Sequence, residues 1–104
     1  MIKALREGNR ITIQGHAGQD ELGKDIVCAA ASILLYSMAE TLQGYTHIMR
    51  DLNIDIQYGM ATAEVFPATG HEETCTAILD TVWNGYCHLA QTYPDYVRVE
   101  RSYI

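Results

Sequence analysis

The chain has 104 residues, of which 48% are hydrophobic and 19% are charged, a composition typical of one folded domain rather than a disordered tail. Thirteen acidic residues against seven basic ones give a formal charge of −6. Because binding to phosphates requires clustered Lys and Arg, this balance argues against nucleic acid as a partner.

The first half of the chain predicts two strands and a long helix. Residues 2–6 form the first predicted strand, and residues 11–14 alternate apolar with polar side chains, as a half-buried strand does. A loop over residues 17–24 follows, and its glycines allow several backbone conformations. Helical spacing of apolar residues then predicts a helix from Asp25 to Gln43, with Asp25 as its N-cap.

The second half predicts a hairpin, a second helix and a last strand. The hairpin pairs residues 54–58 with residues 61–66 around Gly59-Met60. Thr69 and Glu72 have the spacing of a capping box, so a helix is predicted from there to Pro94. Gly85 in this helix suggests a close approach to a neighbouring element. The residues expected to face the core are Cys75, Ile78, Leu79, Val82, Trp83, Tyr86 and Leu89.

The predicted order of elements is ββαββαβ, with the last strand at residues 96–100. Nearly every strand alternates, so only one face of the sheet needs to be covered. We therefore predict an α+β two-layer sandwich, in which two helices pack on one face of an antiparallel sheet of four to five strands. Residues 1–104 are interpreted as a single domain.

The sequence lacks several features that are typical of exported and membrane proteins. Residues 1–7 lack the apolar block and cleavage site of a signal peptide. No apolar run approaches the roughly 20 residues of a membrane helix, so no membrane partner is expected. Three cysteines without CxxC spacing indicate reduced thiols rather than a disulfide framework. We predict a cytoplasmic protein.

Cys28 and His16 form the candidate reactive pair. His16 ends the second predicted strand, and Cys28 lies twelve positions later in the first turn of the predicted helix. A helix N-terminus and an imidazolium both favour a thiolate, and unpaired amides there are suitable donors to an oxyanion. On spacing alone, an inert, buried cysteine and an exposed histidine are favoured over a catalytic pair. Asp25 either caps the helix, which we favour, or orients His16.

Other chemistries fit less well. The chain has neither phosphate-loop pattern, GxxxxGK[ST] or a strand-linked GxGxxG, and no arginine closely follows Cys28 as a thiol phosphatase requires. His71 and Cys75 share a helix face, but Cys87 and His88 are adjacent and point about 100° apart, so no metal site is predicted. Most tyrosines are interpreted as edges of the core, with a groove or a dimer interface as alternatives; these are Tyr36, Tyr86, Tyr93, Tyr96 and Tyr103.

The stretch GHAGQDELGKDIVCAA from Gly15 to Ala30, followed by Ser32, resembles the signature of the ribosomal-processing cysteine proteases, the Prp family. The order of elements and the ending YPDYV at residues 93–97 are also similar, so the resemblance covers nearly the whole chain. It implies a thiol protease without a cofactor, with Cys28 as nucleophile and His16 as general base and acid. It also assigns supporting roles to Asp25 and Ser32, and a substrate-gating loop to Gly15, Gly18 and Gly23.

The resemblance implies a substrate and an assembly as well. Family members remove a short N-terminal extension from a large-subunit ribosomal protein, after an apolar segment that contains aromatic residues, and they are usually homodimers. Phage-borne relatives process capsid or scaffold proteins, which is one alternative for this chain. A non-catalytic dimeric binding protein and a thiol acyltransferase are two others.

Overall fold

A computed structural model describes residues 1–15 and 22–103 of the chain. Within these ranges the elements are β1 (Ile2–Glu7), β2 (Arg10–Gln14), α1 (Leu22–Gly44), β3 (Met49–Gln57), β4 (Met60–Pro67), α2 (Glu72–Thr92) and β5 (Val97–Ser102), with a single 3-10 turn at Thr46–Ile48. The strands form one sheet in the order β3-β4-β2-β1-β5. The predicted α+β order ββαββαβ is confirmed.

The sheet is mixed, because β5 runs parallel to β1, with Ile2 opposite Val97. The other three pairs are antiparallel. Each helix is a crossover, so β3 runs in the direction of β2, and β5 runs in the direction of β4 and β1. An entirely antiparallel sheet was therefore the wrong expectation. Alternation of apolar residues shows which face a strand buries, but it does not show in which direction the strand runs.

Both helices cover the same face of the sheet, as predicted. The buried strand residues facing them are Ile2, Ala4, Ile11, Ile13, Ala61, Ala63, Val65 and Val97, and they join the buried stripes of the two helices in one core. The opposite face carries polar and charged side chains and includes an ion pair between Lys3 and Glu100. This arrangement is the two-layer sandwich expected from the alternation.

Arg6 is a charged residue within the core layer. Its side chain is buried, its Nε donates to the carbonyl oxygen of Gly8 at 2.7 Å, and one terminal nitrogen lies 2.9 Å from Asp80 Oδ1. Asp80 is on α2, so this ion pair joins the helix to β1 and to the turn after it. The aliphatic part of the arginine packs with the core, while its charged end pairs with Asp80 and donates a hydrogen bond to the carbonyl oxygen of Gly8.

Helix α2 buries most of the predicted stripe. Cys75, Leu79, Val82, Trp83 and Tyr86 are buried, and Ile78 and Leu89 are partly buried against them. The close approach expected at Gly85 is present, since a Cβ there would lie 2.5 Å from Leu34 Cδ2 of α1. The predicted capping box is wrong. The helix begins at Glu72, and the carboxylate of Glu72 accepts from the amide of Gly70 instead.

Helix α1 is more apolar than the sequence interpretation allowed. By length and composition, residues Ile26–Gly44 suffice to cross a membrane, so the expectation that no run approaches that length is wrong by this criterion. Core helices pass the same test, and Val27, Ala31, Met38 and Leu42 are buried in the core. Only 28% of the most apolar window is buried, however. Helix α1 therefore keeps an exposed apolar surface.

Candidate active site

A groove of about 620 Å³ lies between α1 and the β3–β4 hairpin. Cys28, Ser32 and Tyr36 lie on its helical side, and its hairpin side is formed by residues 56–61. Ile2, Ile13 and Gly15 of the central strands also line it. Cys28 is partly buried there and packs against the core, so its thiol lies at the boundary between the core and the groove.

None of the described residues that line this groove is charged. Aliphatic and aromatic side chains predominate, and Gln57 and Ser32 supply polar groups. This described lining suits an uncharged, apolar segment better than a charged one, because it offers a charged group no partner when water is removed.

The helix around Cys28 begins earlier than predicted. Because α1 already includes Leu22, Cys28 is its seventh residue and lies in the second turn. Asp25 lies inside the first turn, so the prediction that it is the N-cap is wrong. Only the first four amides of a helix lack an intrahelical partner. The prediction of unpaired amides beside Cys28 is therefore wrong as well. Gly23 did not delay the start of the helix, because a single glycine weakens a helix without excluding it.

The structure brings together only some of the predicted site residues. Cys28, Ser32 and Gly15 all line the groove, with Ser32 exposed one turn after Cys28. His16 and Gly18 lie outside the described residues. Gly23 and Asp25 are within α1, but the side chain of Asp25 lies outside the described part of the chain.

Gly15 fixes the end of β2 at the edge of the groove. Its φ is +81°, and its amide donates to the carbonyl oxygen of Gly59 at 2.8 Å. A Cβ at this position would overlap the carbonyl oxygen of Met1. Only glycine suits both the backbone angle and the space. His16 follows Gly15 directly in the chain. The last described residue before His16 therefore lies at the edge of the groove that contains Cys28.

The sequence interpretation missed the hairpin side of the groove. Tyr58, which is 84% exposed, and Met60 stand at the hairpin tip and line the groove. The available signal was a Tyr-Gly-Met turn, in which two large apolar residues occupy positions that usually hold small polar ones. Tyr36 is also exposed and lines the groove, so its interpretation as a core edge is wrong.

The other tyrosines of that interpretation differ in burial. Tyr86 is fully buried, Tyr93 and Tyr96 pack partly buried against the core, and Tyr103 is exposed. Among residues 1–15 and 22–103, His, Cys, Asp and Glu side chains form no cluster of three that is suited to a metal ion.

A family model described as cysteine protease Prp matches residues 1–98. The groove that contains Cys28 fits this class of thiol peptidase. The chain belongs to the Prp family of cysteine proteases, as the resemblance predicted.

Curated relatives and solved structures agree with the family. The ribosomal processing cysteine protease Prp of Staphylococcus aureus strain Mu50 is 40% identical over 45 residues, which are 43% of this chain and 42% of that protein. The match thus spans less than half the length of this curated relative. The structure of S. aureus Prp with a covalently linked product peptide has a TM-score of 0.77 at 26% identity, covering 98% of this chain and 100% of that one. The complex of S. aureus Prp with a substrate peptide has a TM-score of 0.75 at 25% identity and the same coverage.

Proposed function

We propose that this protein is a cysteine endopeptidase in which Cys28 is the nucleophile and His16 the general base and acid. The observation that carries the proposal is the position of Cys28 in a groove whose described lining is uncharged, with Gly15, the residue before His16 in the chain, at its edge. The family and the peptide-bound structures of S. aureus Prp support the same reaction class.

The reaction proceeds through an acyl-enzyme. The imidazole of His16 takes the proton of the Cys28 thiol, and the sulfur attacks the carbonyl carbon of the scissile bond. The C–N bond then breaks, and His16 returns the proton to the leaving amine. Water, activated by the same imidazole, hydrolyses the thioester and restores the thiol. These steps use no metal and no cofactor.

The proposed substrate is the N-terminal extension of a large-subunit ribosomal protein. Two exposed tyrosines, Tyr36 and Tyr58, and the apolar lining suit a segment rich in apolar and aromatic residues. The curated relative is described as a ribosomal processing protease. The net charge of −6 also favours encounter with a basic protein at low ionic strength. A newly made ribosomal protein is cytoplasmic, and we place the enzyme there.

Intact mass spectrometry of the extended ribosomal protein tests this proposal directly. We expect one cut after the apolar N-terminal segment with the wild type and none with Cys28→Ala. Cys87→Ala is the matched control, because Cys87 is also a partly buried thiol but lies outside the groove. If Cys28→Ala still cuts, the assigned nucleophile is wrong. If the wild type leaves this precursor intact but cuts a phage capsid precursor, and Cys28→Ala does not, the alternative substrate is correct.

Alkylation by iodoacetamide tests His16 independently of any substrate. The rate at Cys28, followed by peptide mapping, should exceed that of a free thiol and fall in His16→Ala. Equal rates in both proteins would favour the non-catalytic binding protein. An acyl-enzyme formed from a small thioester, with every peptide left intact, would favour the acyltransferase. Asp25→Asn and Ser32→Ala, compared in the same assay, test the supporting roles assigned to these residues.

We further propose a homodimer formed through the outer face of the two helices. This outer helical face consists of Ala29, Ala30, Ile33, Leu34, Gly85, His88, Leu89 and Thr92, which surround an apolar groove of about 470 Å³. Ile33 projects beside the groove and is 67% exposed. A projection next to a hollow on one surface is self-complementary, so two copies related by a two-fold axis fill each other's groove. The net charge of −6 opposes the other apolar occupant, an anionic membrane.

Analytical ultracentrifugation of Ile33→Asp tests this interface. We expect a dimer for the wild type and a monomer for the variant, because a carboxylate would be buried without a partner. Asn53→Asp adds the same charge on the exposed side of β3 and should remain dimeric. A monomeric wild type would refute the interface. Co-sedimentation of that monomer with phosphatidylglycerol vesicles would assign the face to lipid instead.

A further inference from the structure

Helix α2 contacts α1 at the turn that follows Cys28. The hydroxyl of Tyr86, which is fully buried, donates to the carbonyl oxygen of Ala31 at 2.9 Å. At the adjacent position, Gly85 leaves no room for a Cβ, which would lie 2.5 Å from Leu34 Cδ2. Two consecutive residues of α2 therefore contact α1 within this turn, Tyr86 by a hydrogen bond and Gly85 by its close approach to the Leu34 side chain.

The residues they contact belong to the segment that forms the helical side of the active-site groove. Ala31 lines this groove together with Cys28 and Ser32, and it follows Cys28 by three positions, within one helical turn. A carbonyl oxygen has two lone pairs, so Ala31 accepts from Tyr86 in addition to its helical amide partner. Loss of the hydroxyl therefore leaves the helix intact but removes the polar contact that fixes it against α2.

We propose that Tyr86 and Gly85 are positioning residues, which act through Ala31 and Leu34 to hold Cys28 at its place in the groove. The proposal rests on the proposed role of Cys28 as nucleophile. Covalent catalysis requires the reacting atoms to be aligned closely, and a displacement of about 1 Å can lower a rate by about 100-fold. A sub-ångström shift of α1 is thus sufficient for a measurable effect without unfolding.

The contact between Tyr86 and Ala31 does not depend on a titration near neutral pH. Burial raises the pKa of Tyr86 far above its ordinary value, so the hydroxyl remains a donor in neutral and alkaline buffers. The pH dependence of the reaction should therefore keep its shape when Tyr86 is replaced, and only its height should change. Replacement of a group that titrates during the reaction would instead change the shape.

Tyr86→Phe, which removes only the hydroxyl, is the first test. With a quenched fluorescent peptide of the ribosomal-protein extension, we expect kcat to fall about tenfold while KM changes by less than about twofold. The rate of Cys28 alkylation by iodoacetamide should fall by about threefold or more, with an unchanged pH profile. Tyr93→Phe is the matched control: it removes a hydroxyl at the end of α2 and should behave as the wild type.

Gly85→Ala and Leu34→Ala form the second test. Gly85→Ala should lower kcat because the added methyl group pushes against Leu34. The double variant should regain most of the lost rate, since Leu34→Ala removes the three atoms nearest to the methyl group. A double variant no better than Gly85→Ala would contradict the role of this contact. Wild-type kcat and alkylation rate in Tyr86→Phe would refute the role of the hydroxyl.

Failure of this inference can be told apart from failure of the proposed function. If Cys28→Ala is inactive and Tyr86→Phe is fully active, the assignment of Cys28 as nucleophile is supported and the positioning role of Tyr86 is wrong. If Cys28→Ala retains activity, the assignment of the nucleophile itself is wrong. A loss of activity in Tyr86→Phe that follows only the unfolded fraction, measured by circular dichroism under the assay conditions, would show a structural role alone.

Discussion

The amide of Gly15 donates to the carbonyl oxygen of Gly59 across 2.8 Å, which joins the end of β2 to the tip of the β3–β4 hairpin. Gly15 comes immediately before His16 in the chain, and Gly59 lies between two groove residues, Tyr58 and Met60. This hydrogen bond therefore couples the start of the segment that carries the proposed base to the part of the groove that the sequence did not predict.

Gly15→Ala should be more harmful than Gly8→Ala, although both glycines have positive φ. A Cβ at Gly8 meets open space, so only the backbone cost of about 1 kcal/mol applies there. At Gly15 the methyl group also meets the carbonyl oxygen of Met1, and the total cost rises to about 3 kcal/mol. Urea denaturation gives both values. Equal costs would mean that the contact with Met1 is unimportant.

Tyr58→Ala should weaken substrate binding without affecting the fold. Tyr58 lines the groove and is 84% exposed, so its truncation exposes little core and should raise KM severalfold. Tyr103→Ala is a suitable control, because Tyr103 is 86% exposed and lies outside the groove. Steady-state kinetics on the proposed precursor peptide distinguish the two. An unchanged KM in Tyr58→Ala would exclude the hairpin tip from substrate binding.

The Arg6–Asp80 ion pair should respond asymmetrically to mutation. Asp80→Ala leaves a buried guanidinium with the Gly8 carbonyl as its other partner, and we expect a loss of about 2 kcal/mol in the free energy of unfolding. Arg6→Met keeps most of the buried volume and leaves Asp80, which is 46% exposed, to be solvated. The loss in the free energy of unfolding caused by Arg6→Met should therefore be about 1 kcal/mol. Chemical denaturation at pH 7 provides the comparison, and a larger loss in Arg6→Met would contradict it.

Stability should decrease at alkaline pH. Burial, with a smaller contribution from the charge of Glu72, raises the pKa of the Cys75 thiol, and burial raises the pKa of Tyr86. Both groups stay protonated in the folded state above the pH at which the unfolded chain loses these protons, about 8.5 for a thiol and about 10 for a phenol. Their contribution is thus complete below about pH 8.5 and is lost as pH rises further.

Thermal unfolding between pH 7 and 11 measures this decrease. Cys75→Ala combined with Tyr86→Phe removes both buried acids, so the melting temperature of the double variant should fall less over the same range. A wild-type melting temperature that stays constant up to pH 11 would contradict the burial of the two groups.

The sequence predicted best those features that depend on a repeated pattern. The stripe through Leu79, Val82 and Tyr86 follows the helical period, and the alternation around Ile11 and Ile13 identifies the face of β2 that the helices cover. The thiol at Cys28 was found from a motif whose residues are close together in the chain. In each case the residues that form the pattern lie within about 20 positions of one another in the chain.

Features that depend on partners distant in the chain were not predictable in this way. The burial of Arg6 requires Asp80, and the parallel pairing of β5 depends on where a crossover returns to the sheet. The helix start at Leu22 was missed because Asp25 offered a suitable cap within the pattern, whereas the backbone continues the helix past it. The contribution of Tyr58 to the groove depends on a hairpin that faces α1.

The parallel pairing of Ile2 with Val97 has a consequence for the order of events during synthesis. A ribosome releases β1 first, yet β1 acquires its outer neighbour only when β5 has emerged. Ile2 also lines the groove that contains Cys28, so β1 holds this groove residue between two neighbouring strands only after β5 has paired with it.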